Sequence, residues 1–211
     1  MQATCPEVFI GSILLERNRW QPGKIPSYQV SEWVERFRDA GFDGMELWEH
    51  HATLAPASEL AALAGCGFPI SIYNAYSSFD EDGIESRCLS ALMARHLGAG
   101  GVKYNVGNDP ARRDVYLASL RDWGERLPES CRILCECHPD TLMEDPEFAA
   151  AFLGELADSR FQCMCHPFSI PMNDLEAWMA CLGPRTTHLH VQLRDSANAI
   201  RRLDHSPAYA R

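Results

Sequence analysis

The chain has 211 residues, 46% hydrophobic and 23% charged, with a net charge of −10. That length suits one sizeable domain, taken here as residues 1–211, and no apolar stretch reaches membrane-spanning length. So acidic a chain shows no basic face for a phosphate backbone, which disfavours nucleic acid as a partner.

Residues 8–14 form the first apolar run and predict a strand. A loop rich in Pro and Gly follows. Residues 30–40 then place Trp33, Val34 and Phe37 on one helical face, ended by Gly41. Residues 44–48 predict strand two, 57–64 a helix and 69–76 strand three. Residues 84–97 space Leu89, Leu92, Met93 and His96 at helical intervals before the stop Gly98-Ala99-Gly100-Gly101. Strand four spans 102–106. Asp109-Pro110 has the cap-then-proline form that opens a helix, here to about residue 127. Strand five spans 132–138, and Asp145-Pro146 repeats the cap signal before a helix over 148–157. Strand six spans 161–166. Asn173 with Glu176 suggests a capping box for 174–182, and 187–193 predict strand seven.

Seven strands alternating with helices imply a parallel sheet with right-handed crossovers. An open nucleotide-binding sheet normally carries a Gly-rich turn after strand one, and here Gly11 stands alone. Polar residues recur instead at strand ends: Glu46, Lys103, Asn105, Glu136, His138, His166, His190 and Gln192. A (β/α) TIM-type barrel gathers one face of every strand into a lumen with its site at the C-terminal rim. The expected fold is therefore a TIM-type barrel with seven recognisable strands and the eighth missing or irregular.

Cys135-Glu136-Cys137-His138-Pro139 and Cys163-Met164-Cys165-His166-Pro167 share the pattern Cys-x-Cys-His-Pro, and His188-Leu189-His190-Val191-Gln192 follows them. Side chains alternate faces along a strand. The thiols should pack behind the sheet, while Glu136, His138, His166, His188 and His190 converge on the other side. Nine cysteines without a signal-like N-terminus read as reduced, buried residues of a cytoplasmic protein. Structural zinc on the two Cys-x-Cys pairs is disfavoured, because such pairs are usually spaced by two to four residues on a turn.

Four segments together resemble the xylose-isomerase-like family of sugar isomerases and epimerases, which includes endonuclease IV. They are Gly41 through Leu47, Gly98 through Gly107, Cys135 through Leu142, and His188 through Gln192, within roughly residues 8–195. The resemblance implies an eight-stranded barrel holding a divalent cation on a carboxylate, an Asp, a His and a second Glu. It maps the first carboxylate to Glu136 and the His to His190, with His166 where relatives carry Asp. The last Glu belongs to an eighth strand that is not recognisable here. Glu136, His166 and His190 would then hold Mn, Co, Zn or Fe more readily than Mg, since imidazole replaces carboxylate.

A carboxylate in an apolar strand needs a partner, so Glu136 reads as a ligand, a catalytic group or half of an ion pair. His138, one pleat further on, is either a catalytic proton shuttle or a solvated loop histidine. Glu46, Lys103 and His188 are candidate substrate contacts; Glu46 and Lys103 could equally form an ion pair with each other. His50 and His51, at the rim after strand two, are expected on the surface, the alternative being that one of them contacts ligand; Trp48 and Tyr73 either stack on a sugar or fill the barrel. The implied activity is metal-dependent isomerisation or epimerisation of a small sugar or polyol by proton transfer next to a carbonyl. The alternatives are a related dehydratase, or an impaired or shortened barrel that binds a ligand or partner chain. An unpaired barrel edge also points to a homo-oligomer.

Overall fold

The computed structural model describes residues 6–167 and 172–191. Seven parallel strands lie in chain order: β1 (Phe9–Gly11), β2 (Gly44–Trp48), β3 (Ile70–Asn74), β4 (Gly101–Tyr104), β5 (Arg132–Glu136), β6 (Phe161–Cys165) and β7 (Thr186–Leu189). Each pairs only with its sequence neighbours. A doubly wound sheet would reverse its strand order at a switch point; unbroken order with a curl makes a barrel wall. The barrel is incomplete among the described residues, because no ladder joins β7 to β1. Side chains span the opening instead: the His188 ring stacks on Phe9 at 5.9 Å between centroids.

The helices are α1 (Val34–Asp39), a short α2 (His50–Thr53) directly after β2, α3 (Ala57–Gly65), α4 (Ile84–His96), α5 (Arg113–Arg126), α6 (Pro146–Glu155) and α7 (Met172–Leu182). Asp109 and Asp145 cap as their sequence context predicts, accepting from the N–H groups of Ala111 and Phe148. Gly41, at φ 83°, takes the left-handed turn that ends α1. Gly44 opens β2 because a Cβ there would collide with the Ser71 hydroxyl. Several boundaries differ from expectation: β3 ends at Asn74, β5 at Glu136 and β7 at Leu189, each short of the predicted strand. Residues 12–14 turn into a 3-10 helix rather than extending β1. Asn173 lies inside α7, which begins at Met172, so it is not the cap. The last residues of the predicted seventh strand, 192 and 193, fall outside the described residues.

The strand faces separate as the alternation requires. Cys135, Cys163, Tyr104, Phe161 and Trp123 join the large core between sheet and helices, whereas Phe9, Ile72, Leu134 and Met164 form a small apolar layer inside the barrel. Cys135 is in register with Cys163 on the outer side, and Glu136 with Met164 on the inner. Every cysteine among the described residues is a free thiol, five of them buried.

The loop after β1 is fastened by a buried polar relay. The Ser12 hydroxyl donates to His51 Nδ1 (2.9 Å), His51 Nε2 donates to Glu16 Oε2 (3.0 Å), and Ser12 Oγ accepts from the Trp48 N–H. Glu16 also accepts from the backbone N–H groups of Asn18 and Ser27. His51 is therefore buried, not exposed as expected, and burial keeps it neutral by lowering its pKa. Hydroxyl, imidazole and carboxylate have the composition of a hydrolase triad. Ser12 is nevertheless fully enclosed and its oxygen already engaged, so the relay serves to hold the loop.

Burial pushes the Glu16 carboxyl up, but the hydrogen bonds from Ser27, Asn18 and His51 outweigh it and hold the pKa at about 2. A carboxyl depressed on folding adds stability above its unfolded value, and loses it as pH falls through the folded one. Glu16→Gln should therefore be less stable than the parent at neutral pH, with the gap closing between about pH 4.5 and about pH 2. Chemical denaturation across that range measures it; a gap constant with pH would exclude the ionised relay.

Candidate metal centre

The polar side chains collect at the C-terminal ends of the strands, above the apolar layer of Phe9, Ile72, Leu134 and Met164. Period two dictates this: Glu136 stands two residues beyond Leu134, His166 two beyond Met164 and His190 two beyond His188. Glu136 closes β5 and is buried. Its Oε2 accepts from Lys103 Nζ on β4 (2.5 Å) and from Asn105 Nδ2 (3.2 Å). Its Oε1 faces His166 Nε2 (3.1 Å) and His190 Nδ1 (3.3 Å).

His190 also reaches the opposite wall. Its Nε2 lies 2.7 Å from Glu46 Oε2 on β2, a contact between residues 144 apart in sequence. His188 Nε2 is 4.0 Å from the same oxygen. One imidazole thus stands between two carboxylates, with His166 and His188 against its edges. The expected Glu46–Lys103 pair is replaced: Lys103 bonds Glu136 on the adjacent strand, and Glu46 bonds His190.

Charge compensation explains how two carboxylates coexist here. Burial pushes the Glu136 carboxyl up, yet His166, His190 and Lys103 hold it well below the usual carboxylate range. Glu46 is lowered in the same way, against burial, by His190, Lys103 and His188. Lys103 stays charged, since Glu136 and Glu46 outweigh its desolvation. His190 rises to about 9 despite burial, through Glu46 and Glu136. Burial and the neighbouring His190 charge push His188 down to about 4, so that ring is neutral. Two anions and two cations balance.

Among the described residues, two groups of side chains have donor atoms close enough to hold a metal ion: Glu136, His166 and His190, and Glu46, His188 and His190. Nitrogen and oxygen ligands at about 2.0–2.2 Å from one ion sit roughly 3–3.5 Å apart. The separations of 3.1 Å and 3.3 Å around Glu136 Oε1 match that spacing, and Oε2 is occupied by Lys103. The first group therefore fits a divalent cation, with His190 giving up its proton to serve as ligand.

Other anticipated residues lie elsewhere. His138 is exposed beyond the end of β5, its ring nitrogen 2.7 Å from the Pro139 carbonyl, and it belongs to neither donor group. Trp48 and Tyr73 are fully buried and present no face to a ligand. Two residues not singled out from the sequence border the lumen: Asn74 and Tyr76, which continue the inward period of Ile72. That spacing was the available signal.

Lys103→Met should cost about 3 kcal/mol or more, because it strands a buried carboxylate. Lys103→Met combined with Glu136→Gln should recover much of that loss. Equal destabilisation in the single and double variants, read from denaturant midpoints, would dismiss the pairing.

No protein-family model and no curated protein matches the chain. Solved structures do. A xylose isomerase-like TIM barrel protein from Mycobacterium smegmatis, in complex with magnesium, superimposes with a TM-score of 0.70 at 17% identity, covering 95% of this chain and 82% of that one. The 3-keto-D-glucoside 4-epimerase of E. coli gives 0.66 at 13% identity, covering 92% and 80%. Endonuclease IV from Thermus thermophilus gives 0.56 at 19% identity, covering 81% and 73%.

Proposed function

We propose that this chain, whose fold is that of the xylose-isomerase-like TIM barrels, is a metal-dependent isomerase or epimerase of a small sugar or polyol, working by proton transfer next to a carbonyl. The observation that carries the reading is His190 poised between Glu46 and Glu136, with His166 completing a set of ligand spacing. Glu136, His166 and His190 hold the cation. Two nitrogens and one oxygen suit Mn, Co, Zn or Fe better than Mg. Bound there, a divalent ion would supply Lewis acidity to the oxygens of a substrate carbonyl and its neighbouring hydroxyl.

The remaining residues divide the work. Glu46, on the opposite wall from Glu136, takes the proton from the carbon beside the carbonyl. With His190 Nδ1 turned to Glu136 and the cation, its Nε2–H still donates to Glu46 Oε2 and orients that carboxylate. Lys103 keeps its proton and offsets negative charge developing on the substrate oxygen. Neutral His188 offers a hydrogen bond to a hydroxyl, and Asn105 fixes the orientation of Glu136. Val8, Leu189 and Val191 stand exposed on β7 and around β1; we take a second copy of the chain to cover this edge, which light scattering checks directly.

Elemental analysis of the purified protein should find about one divalent ion per chain. Glu136→Gln and His190→Ala should each abolish it, whereas Glu46→Gln should keep it. In deuterated water, wild type should exchange the proton beside the carbonyl of a ketose, aldose or inosose substrate. Glu46→Gln should slow that exchange by about 100-fold or more. Unchanged metal content in both ligand variants would remove the site. Metal without exchange on any substrate would leave a binding protein.

A further inference from the structure

An aromatic platform stands at the mouth of the barrel, unused by the reaction described above. Tyr76 follows β3 and is 45% exposed. Its position is nonetheless fixed, because its backbone N–H donates to Glu49 Oε2 (2.9 Å). The Lys103 ammonium lies 5.4 Å from its ring centroid and the Lys24 ammonium 5.5 Å. The ring is therefore within cation–π reach of an inner cation at the site and of an outer one on the loop after β1.

The two cations differ in what they face. Lys103 is buried and matched by Glu136. Lys24 is exposed and makes no ion pair among the described residues. The loop that carries it is the one anchored by Glu16.

Further in, Asn74 ends β3 on the lumen face, in register with Lys103. It is 2% exposed, and its Oδ1 has no donor among the described residues. A carboxamide oxygen buried without a donor carries an unmet desolvation cost. A ligand hydroxyl would satisfy it. Tyr76, half exposed and with a fixed backbone, suits the C–H face of a saturated ring once Lys24 leaves its ring to meet the ligand's anion, because an amphipathic aromatic gives contact area at small entropic cost.

We propose that Tyr76, Asn74 and Lys24 form a substrate subsite for a cyclic polyhydroxylated compound bearing an acidic substituent. The ring lies on Tyr76, one hydroxyl donates to Asn74 Oδ1, and the carboxylate or phosphate pairs with Lys24. This deepens the reading of the site as one for sugars or polyols and rests on it.

The test compares three probes that share one ring: D-glucose, D-glucuronate and D-glucose 6-phosphate, titrated calorimetrically into the full chain. Wild type should bind one of the two acidic probes about tenfold or more tighter than glucose, and which one identifies the anion. Lys24→Met should erase that preference and leave glucose affinity unchanged. Tyr76→Ala should weaken all three about tenfold, whereas Tyr76→Phe, which keeps the ring, should not. The subsite is refuted if acidic and neutral probes bind alike, if none of the three binds, if Lys24→Met keeps the preference, or if the Ala and Phe variants behave alike. Metal content and deuterium exchange judge the reaction separately, so either proposal can fail while the other stands.

Discussion

Glu136 is ionised inside a barrel whose next layer down is Phe9, Ile72, Leu134 and Met164. A bare carboxylate there would be prohibitively costly, and most of the site can be understood as the answer to that cost. Lys103 and Asn105 take one of its oxygens, His166 and His190 the other. Drawing His190 inward then brings it against Glu46, whose charge in turn keeps the ring protonated. The groups that a metal or a substrate would engage are thus the same groups that balance the charge of this inward cluster. Any cation entering must replace a proton as well as fill a space.

The face on which each strand residue lies was legible from alternation alone. That is why Glu136, His166 and His190 could be anticipated together and the cysteines of β5 and β6 placed behind them. Which charges would pair was harder to see. Glu46 and Lys103 share the inward face, so a bond between them was a reasonable expectation. Lys103 in fact sits one strand from Glu136, whereas the pairing of Glu46 with His190 depends on how far the sheet curls, a global property with no local signature.

Loops obscured the rest. His51 looked like a surface residue because it follows a strand end; its burial comes from residues 12–28 folding back over it, held by Glu16 and Tyr28. Trp48 and Tyr73 attracted notice through their size, yet the aromatic at the mouth is Tyr76, two residues beyond the end of β3. The strand patterns foretold the inward cluster, and the loop contacts had no comparable signal.

The opening between β7 and β1 has a mechanical consequence. The ladder runs unbroken from one end of the sheet to the other, but among the described residues side chains bridge its two ends: the Phe9–His188 stack, and His188 and His190 against Glu46. An ion held by Glu136, His166 and His190 would tie together the C-terminal ends of β5, β6 and β7 while His190 Nε2 still reaches Glu46 on β2. Occupancy and curvature would then be linked, and the cargo would act as a clasp that sets how wide the mouth stands.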